Sequence, residues 1–205
     1  MIVEMRTYRL KPRSLAEVEK RFGDALPARV KLSPLGGFWH TEVGTLNQII
    51  HMWPYENAAE RERIRAEAVK SKVWPPAVGE FIEHMESKIL LPAPFSPKLE
   101  PRKLGSIYEF RTYLLKPNSM AAMIERWTGA IGERVKLSPL VGAYSTEHGP
   151  LNQWIHIWAY KDAGERQRIR DEAVKRGIWP PAGGGDIVLL QENILAVPAA
   201  FSPLC

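Results

Sequence analysis

Two short segments of this 205-residue chain carry side chains of the kinds that hold or transform small molecules. Glu4, Arg6 and Tyr8 alternate with Val3, Met5 and Thr7. Further on, Asn47, His51, Trp53 and Tyr55 alternate with Ile50 and Met52. Side chains point to opposite faces along a strand, so each segment, read as a strand, has one polar-aromatic face and one apolar face. If the two strands are neighbours, the polar-aromatic faces merge into one patch of Arg6, Tyr8, His51 and Trp53. A guanidinium, a phenol and an imidazole among aromatic rings suit a small planar or anionic ligand. The same residues also make sense without any ligand, as a polar network inside the seam of the fold with Arg6 paired to Glu4 or Glu42. A matching set stands at Arg111, Tyr113, His156 and Trp158.

Other candidates surround this patch. Arg61, Ile64, Arg65 and Ala68 fall at helical spacing, which places two arginines beside a narrow apolar stripe. Such arginines either reach an anion under the helix or lay their stems over the sheet edge and extend to water. Trp74 and Trp179 each precede Pro-Pro and read as plugs that seat a loop, or as lids over a ligand. His40, His84 and His148 have no counterpart in the other set and read as surface or satisfied histidines. Ser33 and Ser138, each before proline, read as turn residues. No catalytic role is assigned to any residue. There is no His-Glu-x-x-His, paired cysteine or dense carboxylate cluster for a metal, and no Gly-x-Ser-x-Gly elbow. No cofactor is expected; a subsidiary reading makes His51 or His156 the axial ligand of a haem. Gly183-Gly184-Gly185 follows a helix and leads into a strand, the reverse of a phosphate-binding loop, and reads as a turn.

The elements that must position these residues appear twice. Glu4-Met5-Arg6-Thr7-Tyr8-Arg9-Leu10-Lys11-Pro12 returns as Glu109-Phe110-Arg111-Thr112-Tyr113-Leu114-Leu115-Lys116-Pro117, a shift of 105 residues. Arg29-Val30-Lys31-Leu32-Ser33-Pro34-Leu35 returns unchanged as Arg134-Val135-Lys136-Leu137-Ser138-Pro139-Leu140, and Trp74-Pro75-Pro76-Ala77 as Trp179-Pro180-Pro181-Ala182. Near the end the second copy gains one residue, so Phe95-Ser96-Pro97 meets Phe201-Ser202-Pro203. Self-similarity at this period marks a duplicated structural unit. The expected organisation is one unit over 1–97, a Pro-rich linker over 98–105, and a second unit over 106–203.

Each unit reads β-α-β-β-α-β. Alternation predicts a strand over 2–10, ended by Lys11-Pro12. Ser14 with Glu17 three residues on forms a capping-box pattern before a helix to about residue 26. Strands follow over 38–43 and from 47 to 53, joined as a hairpin at Gly44-Thr45. Asn57 is placed to cap a charged helix to about residue 70, and a last strand covers 81–91. This is the ferredoxin-like order, an antiparallel sheet with both helices on one face. The bare faces of two tandem sheets then cover one another, giving an α+β fold that closes as a dimeric α/β barrel within one chain.

Composition narrows the setting. With 45% hydrophobic and 25% charged residues the chain is of globular type. No apolar run reaches the roughly 20 residues of a membrane span. The net charge of +5 is spread among interspersed acids, which argues against nucleic acid and for solubility or attraction of a small anion. Cys205 is the single cysteine, and no basic-apolar leader opens the sequence, so a cytoplasmic location is expected.

The opening Glu-Met-Arg-Thr-Tyr-x-Leu-Lys-Pro, the Glu42-Val43-Gly44-Thr45-Leu46-Asn47-Gln48 turn and His51-Met52-Trp53-Pro54-Tyr55 form a specific combination. With Glu60-Arg61-Glu62-Arg63 and the closing Ile89-Leu90-Leu91-Pro92-Ala93-Pro94-Phe95-Ser96-Pro97, the chain resembles the NIPSNAP family along its whole length, twice over. The resemblance implies a ferredoxin-like, dimeric α/β-barrel fold. It also implies animal relatives associated with mitochondria and with vesicle or mitophagy-related interactions. The function expected is a small-molecule-binding or protein-interaction module. The alternative is a cofactor-independent enzyme of monooxygenase or isomerase type, using the polar-aromatic pocket. An intramolecular pseudo-dimer is expected, with further homo-oligomerisation open.

Overall fold

A computed structural model describes residues 1–72 and 74–205. The first copy forms β1 (Ile2–Leu10), α1 (Leu15–Arg29), β2 (Gly37–Val43), β3 (Gln48–Tyr55), α2 (Ala58–Lys70) and β4 (Ile82–Pro92). The second repeats the order as β5 (Ile107–Leu115), α3 (Met120–Arg134), β6 (Leu140–His148), β7 (Gln153–Tyr160), α4 (Ala163–Lys175) and β8 (Val188–Pro198). All eight strands join one closed antiparallel barrel in the order β1-β3-β2-β8-β5-β7-β6-β4. The copies meet edge to edge, Trp39 opposite Pro198 on one side and Leu91 opposite Ser145 on the other. Closure leaves no continuous free edge between the copies, which is how a barrel avoids exposed ladder groups.

Strand alternation separates two kinds of core. Val3, Met5, Ile50 and Met52 point into the lumen with Tyr108, Phe110, Ile155 and Ile157 of the second copy. The other face of the same strands packs against helices: Tyr8, Ile49, Trp53 and Tyr55 meet Val18 and Phe22 of α1 and Ile64 of α2. The apolar faces read from the sequence therefore line the lumen. The polar-aromatic faces lie outside the barrel, under the helices, and not in its seam.

The ends of the two copies are exchanged. After β4, Phe95 crosses to stack on Trp127 of α3, and the Ser96 hydroxyl accepts a hydrogen bond from the Ala143 amide on β6. After β8, Phe201 crosses to Phe38 and to α1 at Gly23, and Ser202 accepts from the Phe38 amide. Residues 98–105 run over one end of the lumen, where Leu99 joins the lumen core and Arg102 bridges to Leu204.

Three local expectations are corrected. Ser14 makes no capping bond; it has helical backbone angles and its hydroxyl donates to the Lys11 carbonyl at 2.7 Å, so the box with Glu17 does not form. Helix α1 runs on through Pro27 to Arg29, which carries a buried arginine under the helix. Asn47 precedes β3 in a left-handed turn (φ 56°) and does not share the face of His51. Asn57 does cap α2, accepting from the Glu60 amide at 2.9 Å.

Candidate functional site

Register builds the first site. Arg6 on β1 lies opposite His51 on β3, and His51 lies opposite Phe38 on β2. The Arg6 Nε donates to the Tyr8 hydroxyl at 2.7 Å, and its Nη1 donates to Glu4 at 3.0 Å. Tyr8 stands edge-on to the His51 ring at 5.0 Å. The four expected residues Arg6, Tyr8, His51 and Trp53 thus converge, and all line one cavity of about 220 Å³ between the helices and the sheet.

Glu4 is the hub of this arrangement. It is fully buried, and its Oε1 receives Arg6, Arg61 at 2.6 Å, Arg65 at 3.5 Å and the Ser87 hydroxyl at 2.9 Å. Burial alone would resist ionisation, but Arg61, Arg65 and Arg6 outweigh it and hold the Glu4 pKa down to about 2. Arg61 and Arg65 therefore turn inward from α2, spaced i, i+4 on one face, and the anion they reach is the protein's own carboxylate. The Arg61 guanidinium ends on Glu4 rather than in water, whereas Arg65 keeps 40% of its side chain exposed. In the second copy Glu109 receives Arg111 at 2.9 Å, Arg166 at 2.5 Å and the Asn193 amide at 3.1 Å, with Arg170 at 3.8 Å.

His51 is neutral. Burial lowers its pKa most, with Arg6 adding to the effect, to about 3. The Trp53 indole, a donor only, gives its N–H to His51 Nδ1 at 2.7 Å. The ring proton therefore sits on Nε2, which has no hydrogen-bond partner among the described residues. His156 repeats this with Trp158 at 2.8 Å, and its Nε2 is likewise unpartnered among the described residues. Buried polar atoms are nearly always paired, so these two donors mark the cavities as polar at a defined point.

Sequence reasoning missed Arg29 and Arg134. Each is almost fully buried at the end of the first helix of its copy. Arg29 donates to Ser33 at 2.8 Å and to the Tyr55 hydroxyl at 3.0 Å, while its guanidinium lies 4.2 Å over the Trp53 ring. Arg134 makes the same contacts with Ser138, Tyr160 and Trp158. Ser33 and Ser138 are thus anchors for a buried cation as well as turn residues. The signal was present: Arg-Val-Lys-Leu-Ser-Pro-Leu is identical in both copies and puts the arginine four residues before the serine it binds. Trp74 packs at 5.3 Å from Phe22 and 5.5 Å from Trp53 and walls the cavity, as Trp179 does beside Trp127 and Trp158.

The second cavity, lined by Arg111, Tyr113, His156 and Trp158, is smaller, about 160 Å³. Neither volume admits a porphyrin, since both lie under the roughly 300–1,000 Å³ of ordinary ligand sites. His51 and His156, 1% exposed, are also walled by rings, so the haem reading does not fit. Among the described residues no group of three or more His, Cys, Asp or Glu side chains is arranged to hold a metal.

Fold and sites together define a dimeric α/β barrel folded from one chain, with a cationic aromatic pocket under the helices of each half. The NIPSNAP domain profile matches residues 3–97 and again 108–203, and the chain belongs to the NIPSNAP family. It is 31% identical to human NipSnap homolog 3A, over 98% of this chain and 85% of that protein. It is also 31% identical to a Dictyostelium discoideum NipSnap homolog, over 87% and 78% of the two chains. Among solved structures, a proposed monooxygenase of Lactobacillus acidophilus superposes over 97% of this chain and 94% of its own, with a TM-score of 0.71 at 11% identity, a likeness of fold. Among the described residues no helix is long and apolar enough to cross a membrane.

Proposed function

We propose that the pocket under α1 and α2 is a binding site for a small planar anion, with the pocket under α3 and α4 a narrower version of it. The observation that carries this reading is the charge count. Arg6, Arg61 and Arg65 pair with a single carboxylate, Glu4, and Arg29 adds a fourth guanidinium over Trp53, so the site holds an excess of positive charge in a partly water-excluded space. Electrostatic interactions there are stronger than in water. The aromatic walls of Trp53, Trp74, Tyr8 and Phe22 accept a ring, and His51 Nε2–H supplies a fixed donor. A cavity of about 150 Å³ holds benzene, so 220 Å³ suits a monocyclic carboxylate.

The same groups favour binding over cofactor-independent turnover. A general base needs a free lone pair and a pKa near the working pH. The lone pair of His51 Nδ1 is engaged by Trp53, and Glu4 is held far too acidic. The pocket offers the His51 Nε2–H and several guanidiniums as donors, beside the buried Glu4 Oε2, an acceptor without a partner among the described residues. Each pocket is lined by residues of its own copy, so one chain carries both, and the lone exposed Cys205 supports a reducing, cytoplasmic setting.

Titration calorimetry with benzoate, and with benzyl alcohol as the uncharged control, tests the reading. Saturable benzoate binding is expected, quenching the fluorescence of Trp53 and Trp74 and weakened about tenfold by Arg6→Gln, the loss of one charge-assisted contact. Equal affinity for the alcohol, or no saturable binding of benzoate, would refute it.

A further inference from the structure

The lumen holds a second kind of cavity, on the face of the strands turned away from the helices. An eight-stranded barrel is just wide enough to be filled by side chains or to hold one small ligand. Here it does both. One end is packed with Trp39, Tyr108, Tyr144, Leu99 and Leu204. Toward the other end the side chains stop short and leave a cup of about 500 Å³.

The cup is apolar below and polar above. Met5, Ile50, Phe110 and Ile155 form its floor; Thr7, Thr112 and Gln48 stand at its rim with Glu86, Lys88 and Glu192. This is also where the internal two-fold is broken. Lys88 on β4 is matched by Ile194 on β8, and Met5 by Phe110. The buried Lys88 reaches Gln153 at 3.1 Å and Glu86 at 3.4 Å, so its charge is already matched. Glu192 has no ion pair or hydrogen bond among the described residues, and its neighbour across the ladder is Thr112. The charges lining the cup are thus two carboxylates and one ammonium, the reverse of the arginine excess under the helices. Gly44, at φ 108° in the β2–β3 turn, lets that turn lean on Ile194 where a side chain would collide.

We propose that this lumen mouth is a separate binding site, one per chain, for a primary ammonium carrying a small apolar body. The ammonium sits against Glu192 at the rim, and the carbon chain lies on Met5, Phe110 and Ile155. The floor gives affinity through apolar burial and the rim selects the sign of charge. Because the cup lies across the sheet from His51 and Arg6, it is independent of the pocket proposed for anions.

Calorimetry of the full chain with n-hexylammonium, 1-hexanol and hexanoate tests this. One saturable event per chain is expected for hexylammonium, with about tenfold weaker binding of hexanol and none of hexanoate. Glu192→Gln should reduce hexylammonium affinity about tenfold, and Ile194→Lys, which sets a second ammonium in the cup, should abolish it. Glu192 is exposed at the rim, so its variant keeps the test decisive if Ile194→Lys does not fold. Non-saturable binding, equal affinity for hexanoate, or indifference to Glu192→Gln would overturn the proposal, whatever benzoate does at the other site.

Discussion

The two helix-side pockets share a polar frame and differ in their apolar shell. Glu4, Arg6, Tyr8, Arg29, His51, Trp53, Tyr55, Arg61 and Arg65 all have identical counterparts. Around them, Phe22, Phe38 and Ile49 of the first copy are replaced by Trp127, Ala143 and Trp154. Phe38 stacks on His51 at 5.5 Å in one pocket; in the other, Trp127 tilts against His156 at 4.6 Å and fills the space left by Ala143. The cavities of about 220 and 160 Å³ follow from this exchange. The difference is instructive. A buried carboxylate must be compensated or the fold loses several kcal/mol, so the polar frame tolerates little change. Apolar volume can be redistributed among neighbours at small cost. Identity between the copies at Glu4 and Arg6 therefore has a structural cause as well as any functional one.

The strongest way to break the comparison is to remove a hub. Glu4→Gln leaves Arg6, Arg61 and Arg65 without their carboxylate, and Glu109→Gln does the same in the second copy. Each should lower stability by about 3 kcal/mol, toward the low end for a broken buried pair because Arg61 and Arg65 retain some contact with water. Urea unfolding measures it. A loss under about 1 kcal/mol in either copy would mean that the frame there is not held by its carboxylate. Acid tests the same group without mutation. The Glu4 pKa is depressed in the folded state, so its contribution is present above the unfolded carboxylate pKa near 4.5 and is lost as pH falls toward about 2.

Histidine gives the next largest effect, and begins at higher pH. His51 has a folded pKa of about 3 against 6.5 unfolded, so the stability it confers is complete above pH 6.5 and falls as the unfolded chain takes up a proton. By pH 5 the loss is about 2 kcal/mol for His51, and His156, shifted in the same direction by the same burial, adds to it. A His51→Gln, His156→Gln double variant should be less stable at pH 7.5 yet show a flatter decline between pH 6.5 and 5. An unchanged slope would show that these imidazoles do not stay neutral in the fold.

Exchanging the shells sharpens the comparison at smaller cost. Trp127→Phe, Ala143→Phe and Trp154→Ile made together should change stability by less than about 1.5 kcal/mol, as volume-conserving repacking does. Trp154→Ile alone should cost more, since it leaves a cavity. If benzoate is the right probe, the triple variant should raise the affinity of the second pocket toward that of the first. Additive losses from the three single changes would show that the shells are not interchangeable.

How much of this was legible beforehand depends on the range of the interaction. Period-two alternation marked Arg6, Tyr8, His51 and Trp53 as one face, because adjacent strands in this fold order put Arg6 opposite His51. Asn57 was legible as a cap because its partner, Glu60, is three residues away. Ser14 has the same local pattern and failed, since the Lys11 carbonyl takes its hydroxyl. Arg29 was legible only in part: the serine it binds lies four residues on, but its acceptor Tyr55 and its ring partner Trp53 are far along the chain and meet it only when α1 lies on β3. The crossing of Phe95 and Phe201 into the opposite copy was equally hidden, because nothing local in Ala-x-Phe-Ser-Pro says which helix the ring will meet.

The smallest expected effect separates the copies with the opposite sign of pH dependence. His40 on β2 contacts Glu19 of α1 at 2.7 Å, and this pair has no counterpart, since Ser145 and Ile124 stand in the second copy. The bond to Glu19 raises the His40 pKa despite partial burial. Its contribution is therefore fully present below the unfolded value of 6.5 and is lost as pH rises through the higher folded value. Both side chains retain about a fifth of their exposure, so water screens the pair and the contribution should stay below about 1 kcal/mol. His40→Gln should cost that amount at pH 6 and nothing at pH 9, whereas the His51 and His156 variants lose least at low pH. Chemical-shift titration of the histidines in the wild type would check the assignment directly. One imidazole should titrate above 6.5 and two should not titrate down to pH 5; the reverse order would place the ionised histidine under the helices and undo the neutral-donor account of both pockets.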